Sequence, residues 1–363
     1  MADPASAHMA AEIREAPEAV RRQARELAGP LAELVRRLRT KPPQVVVTAA
    51  RGSSAHAAAF AKHAIERHIG IPVAPAAPSI ATVYRRDLRL KDQLLLAISQ
   101  SGESDDLIEQ TKSASRAGAL TVALVNATDS PLAAASDIVL PLCAGPEQSV
   151  AATKTFVATL AALLRLTAAW GEVDALSRAI ARLPERLALA AALDWSPWVG
   201  TVAEASSLIT IGRGPTLAIA REAALKLKET CNLHAEAFSG AEFLHGPIAL
   251  VTRNYPILMF MPADPAADAL VALGADLRRK HAAVFTVASG RGEPGRGEPG
   301  RGEPGRGEPG AGEGRLPALA PEQPEADAIC AIQSFYAALP QLAKLRGIDA
   351  DRPRHLQKVT RTR

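Results

Sequence analysis

The chain has 363 residues, 48% of them hydrophobic, and a formal charge of +4, which excludes a wholly disordered chain and gives no support to a nucleic-acid surface. Its three cysteines, Cys143, Cys231 and Cys330, are too few and too scattered for a disulfide framework or a metal cluster, so no metal or cofactor is expected and a reducing cytoplasm fits. The first residues lack the basic start and apolar run of a secretion signal, and the longest apolar stretch, 156–170, is interrupted by Thr159, Arg165 and Thr167, so no membrane span is expected.

Residues 12–38 read as helical, with a break at Pro30. A regular alternation follows: strand 45–50, helix 55–69, extended 72–76, strand 93–98, helix 104–117, strand 121–126 and strand 138–142. Alternation of this kind predicts a parallel sheet with covering helices. Residues 151–170 form a long helix, and 172–192 a second one with a break or kink at Pro184. The pattern then starts again: strand 207–211, turn Gly212-Arg213-Gly214, helix 216–231, strand 256–261, helix 265–280, strand 283–288 and helix 325–345. Within it, 291–310 is four copies of Arg-Gly-Glu-Pro-Gly, a composition that cannot pack a core and reads as a disordered insertion. The expected organisation is an N-terminal helical segment 1–39, a first α/β lobe 40–171, a connecting helix 172–194, a second lobe 195–346 and a tail 347–363.

Two turns stand out chemically. Strand 93–98 runs into Ser99-Gln100-Ser101-Gly102-Glu103-Ser104, and strand 45–50 into Arg51-Gly52-Ser53-Ser54, each followed by a helix. Unpaired amides and the dipole at a helix start favour an anion, serine hydroxyls add donors, and glycine lets backbone approach. A single such turn is as well explained by a cap as by a ligand. Two in one lobe point to a phosphate held at the carboxyl edge of a parallel sheet. The Gly212-Arg213-Gly214 turn lacks the serines, so the second lobe is expected to lack a phosphate site. On helix 216–231, Glu222, Lys226 and Glu229 share a face, with Leu225 and Leu227 as core contacts. His234, Glu236, Glu242 and His245 follow closely, and crowded ionisable groups of this kind suggest a site.

These motifs, together with Ser149-Val150-Ala151-Ala152-Thr153-Lys154, Ala224-Leu225-Lys226-Leu227-Lys228-Glu229, His245-Gly246-Pro247 and the tail Asp351-Arg352-Pro353-Arg354-His355-Leu356-Gln357-Lys358, resemble the double sugar-isomerase (SIS) domain family. The relevant members are the isomerase half of glucosamine-6-phosphate synthase and the type II glucosamine-6-phosphate deaminases. The resemblance implies two tandem SIS lobes and a C-terminal tail that closes on the site. It assigns sugar-phosphate contacts to Ser53, Ser54, Ser99, Gln100, Ser101, Ser104, Val150 and Ala152. It makes Glu229 the base between carbons 1 and 2, His245 the ring opener reaching in from a partner subunit, Lys358 a tail lysine on the substrate, and Lys226 the residue that sets charge around Glu229.

The chain departs from the synthase pattern at Arg51, at Ala152 where a serine is usual, and after Lys358, where Val359-Thr360-Arg361 replaces Ser-Val-Thr. No glutamine-hydrolysing segment with a leading cysteine is expected ahead of the lobes. The expected function is deamination of glucosamine-6-phosphate to fructose-6-phosphate by a cytoplasmic homodimer. The alternatives are synthesis with free ammonia or a separate glutaminase, action on another amino-sugar phosphate, and a non-catalytic sugar-phosphate sensor. Neither nucleic acid nor membrane is an expected partner.

Overall fold

A computed structural model describes residues 7–288 and 314–358. The four repeat copies and residues 359–361 lie outside these, so the expected insertion and the altered tail end fall outside the described residues.

Two helices lead, α1 (Ala7–Glu26) and α2 (Ala28–Thr40). The break between them falls at Leu27 rather than at Pro30, because proline is tolerated in the first turn of a helix, where its missing N–H has no intrahelical partner. The first lobe comprises β1 (Val46–Ala50), α3 (Gly52–His68), β2 (Val73–Pro75), α4 (Ser79–Thr82), β3 (Leu94–Ser99), α5 (Asp105–Arg116), β4 (Leu120–Val125), α6 (Pro131–Ala134) and β5 (Ile138–Pro141). Then come α7 (Lys154–Gly171), α8 (Asp174–Ala191) and α9 (Ser196–Val202). Helix α8 runs through Pro184 without the expected interruption. Helix α7 starts three residues later than its apolar run, since residues 147–153 are held as irregular backbone by Glu12 and Glu147.

The second lobe holds β6 (Ser207–Gly212), α10 (Pro215–Cys231), β7 (His234–Ser239), α11 (Gly240–Phe243), a 3-10 turn (Pro247–Leu250), β8 (Pro256–Met261), α12 (Ala267–Arg279), β9 (Ala283–Ala288), β10 (Gly314–Leu316) and α13 (Pro324–Leu345). Two of its strands, β7 and β10, were not expected. Both are edge strands, and β7 alternates exposed His234 and Glu236 with buried Ala235, which hides it from a search for continuous apolar runs.

Each lobe carries a five-stranded parallel sheet. The orders are β2-β1-β3-β4-β5 and β7-β6-β8-β9-β10, the same permutation twice. The duplication reaches single backbone angles. Left-handed residues recur at one fixed separation along the chain, Gly52 with Gly214, Gly70 with Asn232, and Asp92 with Asn254.

One apolar core fills the space between the sheets, built from α1, α3, α7, α8, α10 and α13. A smaller core covers the outer face of each sheet, under α5 in the first lobe and α12 in the second. Helices α3 and α10 pack directly on each other. Their alanines, Ala57, Ala61 and Ala64 on one and Ala220, Ala223 and Ala224 on the other, are buried and leave room for close approach. This contact aims the polar face of α10 at the start of α3.

Candidate active site

Strands β1 and β3 are neighbours, and the strand order reverses between them. Open α/β sheets bind ligands at such a point. Both serine turns therefore meet at one carboxyl edge. Helix α3 begins at Gly52 instead of residue 55, which puts Ser53 and Ser54 in its first turn. Neither α3 nor α5 has a side chain bonded to its N-terminal amides from the capping position. Ser104 stands at the N-cap of α5 without a hydrogen bond from its hydroxyl to the helix amides. Within the turn, Ser99 Oγ accepts the Gly102 N–H (3.1 Å) and Ser101 Oγ the Glu103 N–H (3.3 Å). Gln100 turns its carbonyl to the Asn126 N–H (3.2 Å). Gly102 has φ +67°, and a Cβ there would stand 2.6 Å from the Cβ of Ser130. Only glycine fits this left-handed, crowded position.

A buried carboxylate, Glu222, sits beside the cup. Its Oε1 accepts from Ser53 Oγ (3.0 Å) and Tyr336 OH (2.8 Å), and its Oε2 meets His56 Nδ1 (2.9 Å). Lys226 Nζ lies 3.4 Å from the same carboxylate, donates to Ser53 Oγ (3.0 Å), and donates to Glu229 Oε2 (2.5 Å). Ser53 thus gives its proton to Glu222 and takes one from Lys226. An unbroken chain of hydrogen bonds joins the serine turn after β1 to Glu229. Glu229 is the one member of this trio with access to solvent, at 22% side-chain exposure against 1% for Lys226 and none for Glu222.

The charges hold one another. Burial opposes ionisation of Glu222, but Lys226, His56 and Tyr336 outweigh it and hold the carboxyl below its usual range. Burial would likewise lower Lys226, and Glu222 and Glu229 raise it above an ordinary lysine. Tyr336 is pushed well up, by burial first and by Glu222 next, so it stays a donor.

The tail straps the start of α1 to the segment before α7. The Asp351 carboxylate accepts the His8 and Met9 amides at the start of α1 (3.0 and 2.8 Å) and Ser149 Oγ (3.1 Å). The Asp351 carbonyl accepts the Val150 N–H (3.2 Å), and Lys358 Nζ donates to the Ser149 carbonyl (2.5 Å). Glu12 receives the Gln148 and Ser149 amides. Val150 and Ala152 are half-buried in this strapped segment. Burial lowers the Lys358 ammonium below its ordinary value; Glu147 and Glu12 raise it, while Lys226 and Lys154 press it down.

The structure therefore brings together Ser53, Lys226 and Glu229, places Ser54, Ser99, Gln100, Ser101 and Ser104 on the adjoining cup, and ties Lys358 to the segment carrying Val150 and Ala152. It does not bring in His245, which is exposed after α11 and whose side chain bonds to no other described residue. Nor do His234, Glu236 and Glu242 crowd the end of α10; they are exposed on β7 and α11. Leu227 is buried as expected, whereas Leu225 is only half-buried. Sequence reasoning did not single out His56 or Tyr336, and it named Asp351 in the tail motif without giving it a role. It saw Glu222 on the right helical face without its role as the hub. No group of three or more metal-ligating side chains occurs among the described residues, and none of their helices is long and apolar enough to cross a membrane.

The SIS domain family model matches residues 40–169 and 201–294. Glutamine--fructose-6-phosphate aminotransferase [isomerizing] of Halobacterium salinarum is 33% identical over 85% of this chain and 50% of its own length. The chain spans about half the length of the curated relatives it matches. Among solved structures, a candidate phosphosugar isomerase from Silicibacter pomeroyi is 42% identical with a TM-score of 0.85, covering 95% of this chain and 99% of its own. The C-terminal domain of glucosamine-fructose-6-phosphate aminotransferase from Francisella tularensis is 25% identical with a TM-score of 0.79, covering 97% and 100%. With matched segments in both lobes, the chain belongs to the SIS domain family, as a double-SIS protein similar to the isomerase half of that aminotransferase.

Proposed function

We propose that the chain deaminates glucosamine-6-phosphate, yielding fructose-6-phosphate and ammonia. The observation that carries this reading is the hydrogen-bonded chain from Ser53 through Lys226 to the solvent-accessible carboxylate of Glu229. It couples a phosphate cup to a base on one rigid helix. The serine turns hold the phosphate, and that remote binding energy orients carbons 1 and 2. After ring opening, Glu229 takes the proton from carbon 2 and returns it to carbon 1. The amine loses a proton and O1 gains one, giving the 2-imine of the ketose. Water then adds at carbon 2 and ammonia leaves. Lys226 steadies the carboxylate between the two transfers.

Ring opening is assigned to His245 of a second copy, which makes the working unit a homodimer. The exposed histidine supports this, as do Leu244 and Leu250 beside it, which are more than half exposed. Three free thiols support a reducing, cytoplasmic setting. The reverse reaction, synthesis from fructose-6-phosphate and ammonia, is the second reading, favoured by the similarity to aminotransferases. Hydrolysis needs only water, whereas synthesis needs ammonia delivered to the site.

Purified chain incubated with glucosamine-6-phosphate should release ammonia at a rate that Glu229→Gln abolishes. No release above that variant would refute the deaminase reading. Formation of amino sugar from fructose-6-phosphate and ammonium would then favour the second.

A further inference from the structure

Arg51 has no place in the site as described so far. It follows β1 and stands at the N-cap of α3 in extended backbone (φ −133°, ψ 157°). Its guanidinium crosses to the first turn of α5, where Nε and Nη2 both donate to one oxygen of Asp106, at 2.9 and 2.7 Å. The other oxygen of Asp106 accepts the Leu107 N–H (2.8 Å). Asp106 is almost wholly buried, while the arginine side chain keeps 53% exposure. Arg51 therefore spans the two helix starts that form the cup.

The local charges give this bridge a purpose. Glu103, Asp105 and Asp106 fall within four residues of one another beside the serines. A phosphate monoester is close to doubly ionised near neutral pH, and an uncompensated Asp106 would repel it. Neutralising Asp106 occupies only part of the guanidinium. Of five N–H donors in a planar fork, Nε and Nη2 are engaged, and Nη1 has no partner among the described residues. A half-exposed guanidinium fixed by a buried carboxylate, with donors uncommitted, is preorganised for an oxyanion.

We propose that Arg51 is a phosphate ligand and the specificity determinant that makes this cup select sugar phosphates over neutral sugars. The proposal rests on the reading of the site as a phosphosugar site. It separates the job of the serines, which shape the cup, from that of Arg51, which supplies its charge.

Four proteins test it: wild type, Arg51→Ala, Asp106→Asn, and the double variant Arg51→Gln with Asp106→Asn, which leaves no orphaned buried charge. Calorimetry with inorganic phosphate gives binding, and steady-state kinetics with glucosamine-6-phosphate gives KM and kcat. Arg51→Ala should raise both the phosphate Kd and KM by about tenfold or more, the loss of one charge-assisted contact, and should lower kcat/KM at least as far. Asp106→Asn should bind phosphate at least as tightly as wild type. The double variant should remain as weak as Arg51→Ala. A double variant that binds phosphate like wild type would overturn the proposal, because Arg51 would then serve only to neutralise Asp106. If Arg51→Ala melts too early to measure, the double variant alone decides. If wild type binds neither inorganic phosphate nor glucosamine-6-phosphate, the phosphosugar reading itself fails, a different outcome from a phosphate-binding protein indifferent to Arg51.

Discussion

The two lobes share strand order and the placement of left-handed residues, yet the turns after their third strands differ. Where the first lobe has Ser99-Gln100-Ser101-Gly102, the second, at the same separation along the chain, has Met261-Pro262-Ala263-Asp264. The residue matching Gly102 is thus Asp264. Its carboxylate accepts the Ala266 N–H at the start of α12 (2.9 Å) and pairs with Arg67 Nη1 (2.8 Å). Arg67 on α3 holds the place that Glu229 holds on α10. The second-lobe turn has its own internal anion and a cation where the first lies beside the carboxylate of Glu229. One backbone, used twice, carries a glycine in one turn and, at the matched position of the other, an aspartate paired with Arg67 of the first lobe.

The sharpest way to break this contrast is at the matched positions of the two packed helices. Glu229→Gln should lower kcat by about 10² to 10⁴, the usual weight of a general base, without loss of fold. Arg67→Ala should leave kcat within about twofold and lower stability by about 1 kcal/mol, a figure already reduced for its partial exposure. Steady-state kinetics beside thermal melts measure both. Equal losses of kcat in the two variants would mean that the turn around Asp264 shares in the chemistry.

The turns come next in size. Gly102→Ala forces a side chain into left-handed backbone and against Ser130, at a cost of about 1–2 kcal/mol for the conformation alone, and the distorted cup should raise KM for the sugar phosphate. Asp264→Ala removes the second cup's internal anion and should lower the melting temperature while leaving KM unchanged. A raised KM in Asp264→Ala, measured beside Gly102→Ala, would show the two cups to be coupled.

What could be read from the sequence follows the same division. The first-lobe turns were legible because each joins a short apolar strand to serines and a glycine, a pattern local to about ten residues. The repeat of the architecture was legible in the alternation, but the self-filled second cup was not, since Asp264 pairs with an arginine 197 positions away. Glu222 showed its helical face but not its partners, because Tyr336 reaches it from 114 positions along the chain. Edge strand β7 was missed and its ionisable groups were read as a cluster. A parallel edge strand exposes alternate side chains, and a run of His, Glu and Ala looks the same in a loop. The strap from Asp351 to the start of α1 joins residues more than 340 apart and leaves no trace in either segment.

The smallest effect separates two buried carboxylates by pH. Both lie in the second lobe, on α10 and α13, and face α3: Glu222 against His56, and Glu325 against His68 Nε2 (2.8 Å) and Arg67 Nη1 (3.3 Å). Burial opposes ionisation of Glu325, but His68, Gln323 and Arg67 hold its carboxyl below the usual range, as the partners of Glu222 hold that one. In both cases the unfolded chain binds the proton more readily, so the stabilisation is complete above the ordinary value of 4.5 and is lost as pH falls through the lowered folded value. The Glu325 side carries an added contribution from His63 on α3. Burial lowers His63, outweighing the pull of Glu325, so below its ordinary 6.5 the unfolded state gains protons that the folded state refuses. Acid should therefore begin to weaken the Glu325 side between pH 6.5 and 4.5, before the Glu222 side responds. His63→Asn should flatten the melting temperature over that upper window alone, and Glu325→Gln should flatten the steeper loss below it, both without changing KM at neutral pH. Glu222→Gln should flatten only the lower window and should also reduce kcat, because its carboxylate anchors Lys226 beside the base. A kcat unchanged in Glu222→Gln would detach the buried hub from the chemistry and leave the two carboxylates as equivalent lobe fasteners.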